Sequence, residues 1–399
     1  MNAVDRRAWR PVSLILWAAV LMCLGTVGVY LYLARTRVPV AALTANSRIP
    51  AAYSFTALVK VKAGDVFGDG HDALVVTMPE PSKPFEWPVE EKPGDYVTAV
   101  YRVRHGFLDE VFRSAPQTMP VNELTLADTN GNGRQEIWFG YWGDLAQPAA
   151  LEWEGTGFSP VPAWAGWSAE PVVLGAAPPA AGGLAAGQPA ALLALSEYVS
   201  PELARDLEVV SAQGGHYIPR RAIRPGQPAS PKDRPLIADL NGDGRLELLY
   251  VTGRMNLLSP PRPVTITRLD GGQTLLQLDG VFPDDAEVVD LNGNGVPEIY
   301  LSENLPLEVG KPYRGSVRGL EWDGRAFRQI AYEEFDNGRW VADLASGDFD
   351  GDHRPDLIIA ILRATDAKRF RFELNLRGFG FQGRVARGVR PGWASDAGH

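Results

Sequence analysis

The sequence predicts an all-β fold of repeated four-stranded units, preceded by one transmembrane helix. Three observations predict it. A nine-residue loop rich in oxygen-bearing side chains recurs four times. Each copy lies between short apolar runs and is followed by a second hairpin. One long uncharged apolar run stands near the start. Six such units, with seven as the alternative, would close into a β-propeller with one sheet per blade.

Taken in order, residues 1–10 carry Arg6, Arg7 and Arg10 and read as a short cytoplasmic tail. Val12 to Leu33 is apolar without a charge, long enough at about twenty residues to cross a bilayer. Trp9 and Trp17 near its start and Tyr30 and Tyr32 near its end suit the two interfaces. Residues 11–34 therefore read as a transmembrane signal-anchor helix. A cleaved signal peptide is the alternative, but the run is long for one and no small-x-small site follows directly. The sole cysteine, Cys23, lies in this run. Residues 35–56 read as a linker, 57–387 as the propeller and 388–399 as a C-terminal tail.

The recurrent loop supplies the chemistry. Its copies place Asp128, Asn130, Asn132 and Glu136, then Asp239, Asn241, Asp243 and Glu247, then Asp290, Asn292, Asn294 and Glu298, then Asp348, Asp350, Asp352 and Asp356 at positions one, three, five and nine. The main-chain carbonyl of position seven, from Arg134, Arg245, Val296 and Arg354, completes each set. Such oxygens can wrap a hard cation that takes six to eight of them, and calcium fits better than magnesium or zinc. A plain hairpin turn would also use Asn-Gly and Asp-Gly, but has no use for acids at both ends. A fifth loop begins at Asp65, with Phe67 at position three, Ala73 at nine and Asp72 one place early. It is expected to form the turn and lose the ion. His353 replaces a glycine at position six of the last loop, at an expected strain of about 1 kcal/mol.

The stretches Ile237 to Val251 and Gly347 to Ala360 carry a resemblance to the FG-GAP or VCBS-type repeats of β-propellers, including those of integrin α-subunits. The resemblance covers most of the chain after the first fifty or so residues. It implies the propeller fold and a structural calcium role. The chain departs from the family in lacking Phe-Gly before the loops and mostly lacking Gly-Ala-Pro after them.

Second hairpins are expected over Val97–Phe112, Ala150–Phe158, Leu207–Ile218, Val264–Leu278, Val317–Ile330 and Phe370–Val385. Leu151-Glu-Trp153 and Leu320-Glu-Trp322 open two copies of one element. The third unit has Gly182 to Pro189 where an acidic loop would stand, so that blade is expected to lack metal.

With 45% hydrophobic residues in 399, the chain can bury a large core. The formal charge of -9 argues against nucleic acid as a partner, and calcium in four loops would nearly cancel it. The tryptophans Trp138, Trp142, Trp153, Trp164 and Trp167 read as core rather than as a sugar platform. Hydrolase, metalloprotease, P-loop and zinc motifs are missing from the sequence, so no catalytic residue is assigned. The expected function is a membrane-anchored, calcium-binding scaffold or adhesion module for protein partners. The alternatives are a carbohydrate-binding propeller and a polysaccharide-active enzyme. Calcium modules of low affinity work where calcium is plentiful, so the large domain is placed outside the cytoplasm, in a bacterial periplasm or on a cell surface.

Overall fold

The computed structural model describes residues 37–39, 47–48, 59–79, 96–104, 107–115, 123–140, 149–161, 172–178, 181, 189–195, 207–213, 216–223, 233–252, 263–281, 283–304, 314–335, 339–349, 353–366 and 371–379. The expected membrane span, the tail at 388–399, Trp142, Trp164 and Trp167 lie outside them. Among the described residues no helix is long and apolar enough to cross a membrane.

Two short strands come first, β1 (Arg37–Pro39) and β2 (Ser47–Arg48). The sheets then follow in chain order. The first holds β3 (Lys60–Gly64), β4 (Ala73–Pro79), β5 (Tyr96–Arg104) and β6 (Phe107–Arg113), and the second β7 (Glu123–Ala127), β8 (Glu136–Gly140), β9 (Ala149–Trp153) and β10 (Phe158–Pro160). The third has β11 (Val172–Ala177), β12 (Ala191–Leu195), β13 (Leu207–Gln213) and β14 (His216–Ile223). The fourth comprises β15 (Arg234–Ala238), β16 (Glu247–Val251), β17 (Val264–Arg268) and β18 (Thr274–Leu278). The fifth consists of β19 (Pro283–Val289), β20 (Glu298–Asn304), β21 (Gly315–Trp322) and β22 (Phe327–Phe335), and the last of β23 (Arg339–Gly347), β24 (Asp356–Asp366) and β25 (Arg371–Phe379) with β2. Among the described strands consecutive members of each sheet pair antiparallel as a meander, and β1 and β2 add antiparallel at the outer edges of the first and last sheets.

This is an all-β propeller of four-stranded blades. Six four-stranded sheets were the expectation, whereas five sheets have four strands and the sheet of the first unit has five, because β1 adds along β6. The expected hairpin over Phe370–Val385 also differs. Its first strand is β25, and the strand beside it is β2, from the stretch read as linker. The pairs Ser47↔Phe372 and Arg48↔Arg371 thus join the start of the chain to its last sheet.

Alternation drives the packing, because successive side chains of a strand leave opposite faces. Leu248 and Tyr250 pack with Leu193 and Val209 of the preceding sheet. Leu249 and Val251 pack with Ile299 and Leu301 of the following one. Further apolar clusters join the first sheet to the second, the second to the third and the fifth to the last. Trp138 is buried in one of these clusters. Phe67, Trp153 and Phe158 form another, with Phe67 and Trp153 edge to face at 5.0 Å. Of the expected core tryptophans, Trp138 is buried and Trp153 is partly buried against Phe67 and Phe158, while its counterpart Trp322 packs partly buried against another cluster.

The first strands β3, β7, β11, β15, β19 and β23 touch in succession, and β23 touches β3. Polar bonds lock that closing junction. Val61 N donates to Asp343 Oδ2 at 2.7 Å, Lys62 Nζ to the Leu344 carbonyl at 3.2 Å, and Asp348 N to Asp72 Oδ2 at 2.7 Å.

Candidate metal loops and the central charged cluster

Each recurrent loop joins the first strand of its sheet to the second, and the acid at position one organises it. Asp128 Oδ1 accepts from Gly131 N at 2.7 Å and Asn132 N at 3.1 Å, and its Oδ2 from Gly133 N at 2.9 Å. Asp290 repeats all three bonds, and Asp239 repeats those from Asp243 N and Gly244 N. The turn this imposes needs left-handed backbone at positions four and six, met by Gly242 (φ 71) and Gly244 (φ 82). At the last loop His353 takes that conformation with φ 63, the one non-glycine to do so among the described residues. Its N donates to Asp348 Oδ2 at 2.9 Å, so the turn is kept despite the side chain. His353→Gly is expected to stabilise the chain by about 0.5–1 kcal/mol in urea unfolding, and a loss of stability would show that no strain is stored there.

The acid at position nine reaches back. Glu136 Oε2 accepts from Thr129 N at 2.7 Å, Glu247 Oε2 from Leu240 N at 3.0 Å, and Glu298 Oε2 from Leu291 N at 2.7 Å. Burial pushes the Glu136 carboxyl up to about 7, against the bonds from Thr129. Glu247 and Glu298 are raised for the same first cause. Asn130 and Asn292 each turn an oxygen to the N–H of position five at 3.0 Å, and Asn132 and Asn294 turn theirs to Arg134 N and Val296 N. Asn241 and Asp243 do likewise toward Asp243 N and Arg245 N. Of the last loop, Asp348, Arg354 and Asp356 are described, with Asp356 Oδ2 accepting from Phe349 N at 3.3 Å; Asp350 and Asp352 lie outside the described residues.

The donors so gathered are all oxygen, which fits a hard cation. Among the described residues no three acidic, His or Cys side chains stand close enough to hold an ion by themselves, so the asparagine and main-chain oxygens would have to share the work.

The fifth loop forms the expected turn, with Asp65 accepting from Gly68, Asp69 and Gly70 N. Phe67 goes into the core instead of the loop, and Asp72 binds the last loop at Asp348 N. Neighbouring loops touch along one end of the ring. Gln135 N donates to the Asp65 carbonyl at 3.0 Å, and Ala190 N to that of Asp128 at 2.9 Å.

Sequence reasoning missed Glu152 and Glu321. Asn130 Nδ2 donates to Glu152 Oε1 at 3.2 Å and Asn132 Nδ2 to the same atom; Asn292 Nδ2 donates to Glu321 Oε1 at 3.0 Å and Asn294 Nδ2 to the same atom. The shared Leu-Glu-Trp after these two loops was the available signal.

It also missed a buried cluster where the first strands meet. Lys62 Nζ lies 3.3 Å from Glu287 and 3.8 Å from Asp285, Arg234 Nε 2.7 Å from Glu123, and Lys60 Nζ 3.9 Å from Asp343. Beside them is a cavity of about 180 Å³ lined by Lys62, Glu123, Arg234, Asp285 and Glu287 among others. Burial and the neighbouring Asp285 push the Asp343 carboxyl well up, and the two carboxyls share a hydrogen bond. Asp285 is held low: burial opposes its charge, but Lys62, the bond from Asp343, Lys60 and Arg234 prevail. Burial works against the Lys62 ammonium too, and Asp285, Glu287, Asp343 and Glu123 outweigh it.

No curated protein matches the chain. Among solved structures it is similar to an α-L-arabinanase of Penicillium chrysogenum complexed with arabinobiose, at 10% identity and a TM-score of 0.46, over 86% of this chain and 97% of that one. It is also similar to a chain of a mitotic checkpoint complex, at 11% identity and a TM-score of 0.42, over 84% of this chain and 93% of that one. The sequence family of the FG-GAP-like repeat matches residues 290–359, from the loop at Asp290 into β24. The chain thus carries an FG-GAP-like repeat within a β-propeller of four-stranded blades.

Proposed function

We propose that this chain is a calcium-stabilised propeller scaffold for protein partners, held outside the cytoplasm by its N-terminal apolar span. A bacterial periplasm or cell surface is the setting in which millimolar-range calcium sites fill. The observation that carries the reading is the recurrence of an oxygen-lined loop between the first and second strands of four sheets, with the loops at Asp128 and Asp348 each bonded to the loop at Asp65. Asp128, Asn130, Asn132, Glu136 and the Arg134 carbonyl would hold one ion, and the corresponding residues of the other loops the rest. The ion would supply positive charge among oxygens that otherwise bond mostly to N–H groups of their own loop, so its role is structural. A protein partner is favoured over a sugar because Trp138 is buried and Trp153 packs against Phe67 and Phe158.

Equilibrium dialysis of the purified chain against calcium is expected to show uptake, with Asp128→Ala and Asp290→Ala each removing one ion. Unchanged stoichiometry in both variants would sink the loop assignment. A defined protein partner retained in calcium and released by chelator supports the scaffold reading; calcium-dependent binding to a glycan array with no protein partner would replace it.

A further inference from the structure

One strand position beside the loops divides them into two kinds. In the fourth sheet Glu247 of the loop lies opposite Arg268. In the first sheet Ala73, the same loop position, lies opposite Arg102. In the second sheet Ile137 pairs with Leu151, so the next step of the ladder sets Glu136 against Glu152. In the fifth Ile299 pairs with Leu320, which sets Glu298 against Glu321. The same place in four sheets is therefore arginine twice and glutamate twice.

Position five of the loop changes with it. Where arginine stands opposite, position five is an aspartate, and the two pair: Arg268 Nη2 lies 2.7 Å from Asp243 Oδ2, and Arg102 Nη2 lies 2.7 Å from Asp69 Oδ2. Where glutamate stands opposite, position five is an asparagine, and Glu152 or Glu321 takes the side-chain N–H groups of positions three and five. The Arg102 guanidinium also lies 4.1 Å over the Phe67 ring, which fills position three of its loop. Charge explains the exchange. A guanidinium beside a loop supplies the positive charge from the protein, and an aspartate at position five answers it. A glutamate adds a third carboxylate to the loop acids and leaves the positive charge to come from outside.

We infer that the loops at Asp128 and Asp290 are the calcium sites of the second and fifth sheets, with Glu152 and Glu321 as additional ligands from the neighbouring strand, while the loops at Asp65 and Asp239 carry a built-in cation in Arg102 and Arg268. This rests on the calcium reading above and narrows it, since the loop at Asp239 then needs no ion. Positions one and four of the loop do not separate the kinds; position five and the strand residue opposite position nine do.

The test uses calcium chloride with the full chain, measuring stoichiometry by titration calorimetry and stability by urea unfolding in calcium and in chelator. Glu152→Gln and Glu321→Gln are each expected to weaken one site by on the order of tenfold, since ligand charge sets affinity in such loops. The double change D243N/R268E, which gives the fourth sheet the residues of the other kind, should add one calcium ion. In chelator the signs reverse: Glu152→Gln should raise stability by relieving carboxylate repulsion, and Arg268→Gln should lower it. Calcium uptake by the wild type that Asp239→Ala reduces by one ion, with Glu152→Gln and Glu321→Gln silent, would overturn the division while leaving calcium in place. No uptake by any form would overturn the ligand roles together with the calcium reading. The chelator measurements would still tell whether Arg268 acts as the cation of its loop.

Discussion

Asp285→Ala is expected to cost about 3–5 kcal/mol in urea unfolding at pH 7, because it strips a buried charge network of its central carboxylate. The carboxylate lies 3.8 Å from Lys62 and 3.9 Å from Arg234 and accepts from Leu344 N at 3.2 Å, so its loss leaves Lys62 with Glu287 and Arg234 with Glu123 as their remaining carboxylates and takes away the acceptor of that amide. Asp343→Asn is the contrasting change. Burial and Asp285 raise its carboxyl, which makes the neutral form less costly there, and an asparagine amide can both accept from Val61 N and donate to Asp285. A change of less than about 1 kcal/mol is expected. The pH dependence separates the two residues further. A raised carboxyl stabilises the fold below its unfolded pKa and loses that contribution as pH rises through the folded value, so Asp343→Asn should gain on the wild type with rising pH. Asp285, held low, contributes above the unfolded value and loses this as pH falls through the folded one. Equal damage from both substitutions at pH 7 would refute the shared-proton arrangement.

Calcium removal is the second large effect. At ten times its dissociation constant each ion adds about 1.4 kcal/mol, so filled loops at Asp128, Asp290 and Asp348 would contribute about 4 kcal/mol together. Against the roughly 5–15 kcal/mol that holds a domain folded, this is a substantial share. A thermal melt in millimolar calcium, repeated with chelator, is expected to fall by roughly 5–10 °C. Superimposable melts would leave the loops as turns, and the extracytoplasmic placement would then rest on the apolar span alone.

The loops and most hairpins were legible in the sequence because both are local. Oxygens at fixed spacing and glycines at positions four and six are written within nine residues, and Asp65, Asp128 and Asp290 make the same turn in the structure. Glu152 and Arg268 were not legible as partners of a loop, since the ladder register that sets them there is a property of paired strands. Lys62, Arg234 and Asp285 were further from view. Each belongs to a different sheet, and only the meeting of first strands brings them together. The outer strand of the last sheet was misplaced for a related reason: the pattern asks for a strand next in sequence, and β2 comes from the other end of the chain.

That pairing has a consequence for synthesis. Ser47 and Arg48 leave the ribosome over three hundred residues ahead of their partners Arg371 and Phe372. The five sheets from β3 to β22 can fold as they emerge, each on the one before, while this early strand waits unpaired until β25 is made. The last sheet is thus completed after the others, and a nascent chain stalled before β25 would leave the outer edge of β24 uncovered and β2 without a strand to join, although β23 could already meet β3.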